Sequence, residues 1–256
     1  LLADIILKVA GLEQNFWDDA YRPRPSAAGR CIRSLVYKAS GVEPEDWPDR
    51  FPVIFDDGNA HEELTIRWIE KSAFEITDRQ MRVHIAKLAN TGEELYGDID
   101  GILGDLMAVE RLFEHKSINH FTFQRYQAKA DAGEELDKTD PYHTQIQLYL
   151  HSRELRARGI AEAILLIKNK NTGQYCEFPI QYNEADALAA ILKLEKVAEH
   201  VKAKTVPDRP FNRSVDWQCN YCRFATHCYA NYEEDHSSTL VDTDDVVLAD
   251  AVGQFT

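Results

Sequence analysis

The sequence predicts an α/β or α+β fold with a mixed sheet at its centre. Three observations predict it: helical periodicity near both ends, two-residue alternation through the middle, and an apolar hairpin between two later helices. Its 256 residues, 44% hydrophobic and 28% charged, suffice for one large globular domain or a domain with an appendage.

Leu1 to about Asp19 repeats apolar residues at helical spacing, and Arg22-Pro23-Arg24-Pro25-Ser26 ends that pattern. Cys31 to Ala39 reads as a short helix. Asp57 to Lys71 reads as a longer one, with acids at its start and His61, Leu64 and Trp68 on one face. Met81, Val83 and Ile85 then alternate with Arg82 and His84, as on a strand. Leu95 to Leu103 and Met107 to His115 read as two further strands around a tight Gly104-Asp105 turn. Ser117 to Asp140 is polar and irregular and is expected to be a long loop. Pro141 to Arg158 is helical. Glu162 to Ile167 and Tyr175 to Ile180 form a hairpin across Lys170-Asn171-Thr172-Gly173. Asn183 to about Lys204 is a helix, with Asn183 and Asp186 placed as an N-terminal cap.

No apolar run reaches membrane-spanning length, and the opening residues lack the basic start of a signal peptide. A reducing, cytoplasmic setting is therefore expected, with no membrane partner. The chain does not begin with Met and is expected to be truncated at its start. The net charge of −14 argues against a general nucleic-acid coat protein. Half of it lies in Glu233, Glu234, Asp235, Asp242, Asp244, Asp245 and Asp250, after the last basic residue, Arg223. Arg22, Arg24, Arg30, Arg33 and Lys38 form a strip without acids, and Lys202, Lys204, Arg209 and Arg213 form a second strip broken by Asp208. Charge alone fits a cleft for an anionic strand and ordinary solvated surface equally well.

Cys219, Cys222 and Cys228 make a C-x₂-C-x₅-C cluster, and Cys31 stands alone near the other end. Three thiols this close suit a metal better than disulfides in a reducing setting. The distant fourth would close a four-thiolate iron–sulfur or zinc site, joining the first part of the chain to the last. Cys176 falls in a strand and is read as a small buried hydrophobe.

In the middle, Tyr96-Gly97-Asp98-Ile99-Asp100-Gly101 precedes Val109-Glu110-Arg111-Leu112-Phe113-Glu114-His115-Lys116. Strand alternation points Glu114 and Lys116 one way and His115 the other. A hairpin would bring Asp100 to Glu114. Two carboxylates beside a lysine suit Mg²⁺ or Mn²⁺ and phosphodiester chemistry. On the helix that follows, Gln145 and Tyr149 share a face. Each of these features alone is ordinary surface or helix; their order and spacing carry the information.

The order His61, Gly97-x-x-Asp100, Glu114-x-Lys116, Gln145-x-x-x-Tyr149 resembles the RecB-like branch of the PD-(D/E)XK nucleases. One cysteine before that core and three after it resemble the iron–sulfur subset of the branch, and the chain is most similar to the CRISPR-associated Cas-four exonucleases. The resemblance runs from Cys31 to Cys228. It implies a restriction-endonuclease-like core with an iron–sulfur-stapled helical region joining the N- and C-terminal segments. It implies that His61, Asp100, Glu114 and the His115 backbone carbonyl ligate Mg²⁺ or Mn²⁺. Lys116 would be the catalytic lysine, and Gln145 and Tyr149 would orient it or the substrate phosphate. Cys31, Cys219, Cys222 and Cys228 would hold a 4Fe–4S cluster. Ile32-Arg33-Ser34-Leu35-Val36-Tyr37 is a loose version of the family's segment after its first cysteine, and the acidic tail has no clear place in the family.

The expected activity is a metal-dependent DNA exonuclease acting at single-stranded ends, in CRISPR adaptation, recombination and repair, or viral DNA processing. Its setting would be the cytoplasm, or the host cytoplasm for a viral protein, and an integrase or other DNA-processing protein is a candidate partner. The alternatives are a DNA-end or motif-reading subunit of an integration complex with secondary nuclease activity, and a zinc-stapled binding protein. Phe121, Phe123, Arg125 and Tyr126, with Lys129, interleave aromatics and cations as a single-strand contact would, and Arg30 and Arg33 are candidates for backbone phosphate. The expected division is a nuclease domain with its iron–sulfur region over 1–232 and an acidic tail over 233–256.

Overall fold

The computed structural model describes residues 2–13, 21–105, 107–211, 213 and 216–230. The acidic tail lies outside the described residues, as does the expected extension of the first helix through Asp19.

The chain is α/β with a mixed five-stranded sheet. In chain order the first helices are α1 Leu2–Glu13, α2 Pro25–Ala28, α3 Ile32–Ala39 and α4 Phe51–Ile69. Helix α4 begins earlier than the Asp57 start expected, because Pro52 sits in its first turn, where the missing N–H costs nothing. Strands β1 Glu75–Thr77, β2 Arg82–Lys87, β3 Glu94–Asp98, β4 Gly101–Gly104 and β5 Glu110–Ile118 follow. Then come α5 His120–Asp131, α6 Pro141–His151, α7 Arg153–Ala157, β6 Glu162–Asn169, β7 Tyr175–Gln181 and α8 Glu184–Ala203. Helices α9 Trp217–Asn220 and α10 Ala225–Tyr229 close the described chain.

The sheet order is β1-β4-β5-β6-β7, with β2 and β3 paired in a separate ribbon. Only β5 and β6 run parallel; the other pairs are antiparallel. The strand expected over Leu95 to Leu103 is therefore two strands in two sheets. It breaks at Ile99, whose N–H leaves the ribbon register to bond the Met81 carbonyl at 3.1 Å. That break frees Asp100 at the mouth of the sheet.

The long loop expected over Ser117 to Asp140 is corrected to the end of β5 and the helix α5. Asn119 caps α5, its side chain accepting from the Thr122 N–H at 3.0 Å. The helix is polar around most of its circumference and buries a narrow face, with Phe123 only 2% exposed, so its hydrophobic period is faint in sequence. The expected hairpin β6–β7 and helix α8 are present, and the Asn183 side chain accepts from Ala185 N–H and Asp186 N–H. The expected helix from Pro141 to Arg158 divides at Ser152 into α6 and α7. Cys176 is buried in β7, as expected.

The β5 strand is buried on both faces. Leu112 and Ile118 join the main core with Ile146, Leu165, Phe178 and Leu194. On the other face, Phe113 packs with Ile66 and Ile76 in a smaller cluster beneath α4. The central strand thus presents its polar residues into two different layers.

Candidate active site

Strand β5 places Glu114 and Lys116 side by side on the main-core face, 1% and 2% exposed. Burying such groups is costly unless they are paired. Lys116 Nζ lies 2.9 Å from Glu114 Oε1. The pairing of β4 with β5, Gly101 opposite Phe113, brings Asp100 alongside. Asp100 Oδ2 accepts from the His115 N–H at 2.7 Å. The sequence expectation that Asp100 and Glu114 converge is realised by this register.

Helix α6 completes the first layer. Gln145 Nε2 donates to Glu114 Oε1 at 3.0 Å and to the Tyr149 hydroxyl at 3.1 Å. The Tyr149 hydroxyl donates to the Asp98 carbonyl at 3.0 Å. The chain from Glu114 to Gln145 to Tyr149 thus ties α6 to the end of β3. Gly97 is required by this arrangement: a Cβ there would stand 2.5 Å from Tyr149 Cε1 and 2.8 Å from Pro25 Cγ. These contacts give a physical reason for the glycine in the Gly97-x-x-Asp100 spacing.

One carboxylate oxygen is left over. Glu114 Oε2 is fully buried and, among the described residues, has no hydrogen-bond partner. Burial, reinforced by Asp100 and opposed by Lys116, pushes the Glu114 carboxyl up to about 8. Burial also raises Asp100, against the pull of Lys116 and the His115 N–H. Desolvation works against charge on Lys116, but Glu114 and Asp100 outweigh it, so the ammonium is retained and its pKa is raised. A buried, unpaired carboxylate oxygen beside a second carboxylate is a donor set that fits a hard divalent cation. Among the described residues, no three His, Cys, Asp or Glu are drawn together closely enough to hold a metal ion as they stand.

Sequence reasoning missed Glu62. Burial raises its carboxyl to about 7, with Asp100 adding to the shift and Lys116 opposing it. It therefore belongs to the charge cluster of the site. The neighbouring His61 sits among Lys168, Asp57 and Lys170, and burial together with those lysines lowers its pKa against the effect of Asp57. No spacing argument separates two adjacent helical residues about 100° apart around the axis.

The four cysteines Cys31, Cys219, Cys222 and Cys228 line one cavity, together with Arg33, Tyr37 and Tyr229. Arg33 Nε donates to Cys228 Sγ at 3.1 Å. Burial pushes the Cys222 thiol up to about 12; the other three thiols add to the shift, and the Phe224 N–H opposes it. Four thiols lining one cavity are a donor type that suits a cluster or a zinc ion, but among the described residues no three of them are drawn together closely enough to hold a metal ion as they stand. The terminal segments are also joined by hydrogen bonds: Glu45 N–H donates to the Arg223 carbonyl at 2.8 Å, and Thr226 N–H donates to Glu45 Oε1 at 2.9 Å.

The expected DNA contacts divide. Phe123 is in the core, and the Tyr126 hydroxyl donates to Asp140 Oδ2 at 2.8 Å while its ring packs near Tyr142 and Phe178. Phe123 is enclosed by the core, and Tyr126 is half-buried on the wall of a groove. Phe121 is exposed, as is Arg125. Arg33 is engaged at the cysteine cavity. Burial, with Arg24 nearby, lowers Arg30 to about 9. A groove of about 1020 Å³ is lined by Phe121, Arg125, Lys193, Trp217 and Tyr221, away from the carboxylates. Several of its charges are paired within it: Lys129 with Asp137 at 3.3 Å and Lys138 with Asp186 at 3.4 Å.

No family model and no curated protein matches the chain. Among solved structures it is similar to SSO0001, with a TM-score of 0.51 and 16% identity over 91% of this chain and 98% of that one. It is also similar to an alkaline exonuclease, LHK-Exo, from Laribacter hongkongensis, with a TM-score of 0.46 and 15% identity over 72% and 89% of the two chains. The complex of LHK-Exo with dAMP gives a TM-score of 0.46 and 14% identity over 78% and 92%. The likeness to SSO0001 is one of fold.

Proposed function

We propose that the chain is a metal-dependent deoxyribonuclease that hydrolyses phosphodiester bonds at single-stranded DNA ends. The observation that supports this reading is the Glu114–Lys116 pair on β5, next to Asp100 on the His115 N–H, with Glu114 Oε2 left without a partner among the described residues. Asp100, Glu114 and the His115 carbonyl would hold Mg²⁺ or Mn²⁺, with His61 as the expected ligand from α4. The cation would neutralise charge on the phosphodiester and lower the pKa of the attacking water. Lys116 keeps its ammonium and is placed to stabilise charge that develops on a phosphoryl oxygen. Gln145 holds Glu114 Oε1, which leaves Oε2 for the cation. Cys31, Cys219, Cys222 and Cys228 are proposed to hold a 4Fe–4S cluster with a structural role.

The deciding experiment is degradation of end-labelled single-stranded DNA with Mn²⁺ by wild type and by Lys116→Ala. The variant is expected to lose roughly 100-fold or more in rate. A Lys116→Ala protein as fast as wild type would show that the active site lies elsewhere.

A further inference from the structure

Helix α6 turns three side chains toward the charged cluster, and the proposed chemistry uses two of them. Tyr142, Gln145 and Tyr149 stand at i, i+3 and i+7, which places them on one face of the helix. All three are buried, Tyr142 to 2% exposure. Gln145 fixes Glu114, and Tyr149 fixes the end of β3. Tyr142 meets another member of the cluster: Lys116 Nζ lies over its ring, 5.8 Å from the centroid.

A lysine ammonium ends a flexible four-carbon stem, and its donors rotate. Glu114 Oε1, at 2.9 Å, restrains the Lys116 ammonium from one direction. The negative face of an aromatic ring supplies a second restraint, because it attracts a cation. That attraction grows where water is excluded, and both Lys116 and Tyr142 are shut away from solvent. The ring is itself fixed. Tyr142 N–H donates to Asp140 Oδ1 at 2.8 Å, and Asp140 Oδ2 accepts from the Tyr126 hydroxyl at 2.8 Å. The Tyr126 ring stands 5.9 Å from that of Tyr142, tilted by 34°. One carboxylate at the start of α6 thus anchors both rings.

We propose that Tyr142 is a positioning residue, whose ring holds the Lys116 ammonium beside Glu114 in the place from which it acts on the phosphoryl group. The inference rests on the nuclease reading for the reaction it serves. Tyr142 also belongs to the main core. A ring that only filled the core would do so whatever residue stood at position 116, and this separates the two roles.

The test is cleavage of the end-labelled single strand at saturating Mn²⁺. Tyr142→Leu is expected to lose roughly 10-fold in kcat with KM for the strand unchanged. Tyr142→Phe, which keeps the ring face, is expected to retain most of the rate. In a Lys116→Ala background, Tyr142→Leu is expected to cost nothing further, since a residue that acts through the lysine has nothing left to position. An equal loss in both backgrounds, or wild-type cleavage by a folded Tyr142→Leu protein, overturns the inference. Should Tyr142→Leu fail to fold, phenylalanines carrying successive ring fluorines at position 142 decide. They keep the shape and weaken the ring's negative face, so the rate is expected to fall with each fluorine; a flat series overturns the inference. The contact is also read without turnover, in ¹H–¹³C spectra of lysine-labelled protein. The Lys116 Hε signals, assigned by their absence in Lys116→Ala, are expected upfield in wild type and at their ordinary position in Tyr142→Leu. Unshifted signals in wild type overturn the inference. Failure of the nuclease reading is seen separately, as unchanged cleavage by Lys116→Ala.

Discussion

Glu114 uses one oxygen to meet Lys116 and Gln145 and leaves the other without a partner. That asymmetry gives particular residues testable weight. Gly97→Ala would drive a methyl group into the Tyr149 ring and Pro25. Overpacking of this kind costs about 1–3 kcal/mol. The variant should be less stable to urea by that amount and should lose cleavage disproportionately, because Tyr149 and Gln145 shift together. Glu62→Gln removes a charge from the cluster without removing bulk. It should weaken Mn²⁺ binding by roughly 10-fold, the lower range for groups that support a metal site, as read from Mn²⁺ titration of activity. The carboxylates, the lysine, Gln145 and Tyr149 were legible in sequence because their order and spacing were. Glu62 was not, because adjacent helical residues differ only in which way the helix is turned, and packing sets that rotation.

Elements explain how the site is held. Helix α7 is tied to β2 by Glu154, whose Oε2 accepts from the His84 N–H at 2.8 Å. Partial burial raises the Glu154 carboxyl, and the His84 N–H together with Arg153 more than offsets it, so its folded pKa lies below the ordinary 4.5. A depressed carboxyl stabilises the fold above its unfolded pKa and ceases to do so as pH falls through the folded value. Glu154→Ala should therefore cost about 1–2 kcal/mol at neutral pH. In denaturation measured across pH, the gap from wild type should narrow only below about 4.5. The hairpin β6–β7 and the cap of α8 were legible because turn residues and a capping asparagine are local signals. Helix α5 was not: most of its surface is polar, and its register depends on Phe123 meeting a core assembled from distant strands.

At the scale of the molecule, the segments around Cys31 and around Cys219 to Cys228 meet at one cavity, bridged already by Glu45 with Arg223 and Thr226. A 4Fe–4S cluster there predicts coloured protein from anaerobic purification, with iron and sulfide in equal amounts. Cys222→Ser should lose most of that iron and become more sensitive to proteolysis near Cys31. Wild-type protein that holds zinc and no iron would replace the cluster with a zinc staple. By itself the sequence determined the alternation of helices and strands, the split cysteine set, and the order His61, Asp100, Glu114, Lys116, Gln145, Tyr149, because these depend on residue type and short-range periodicity. Only the tertiary structure decided that Ile99 sends the chain from one sheet to another, that Asp100 meets the His115 N–H, and that Phe123 turns into the core. Those outcomes depend on which strands pair and on how a helix is rotated against them, and such choices are made by the burial of residues far apart in the chain.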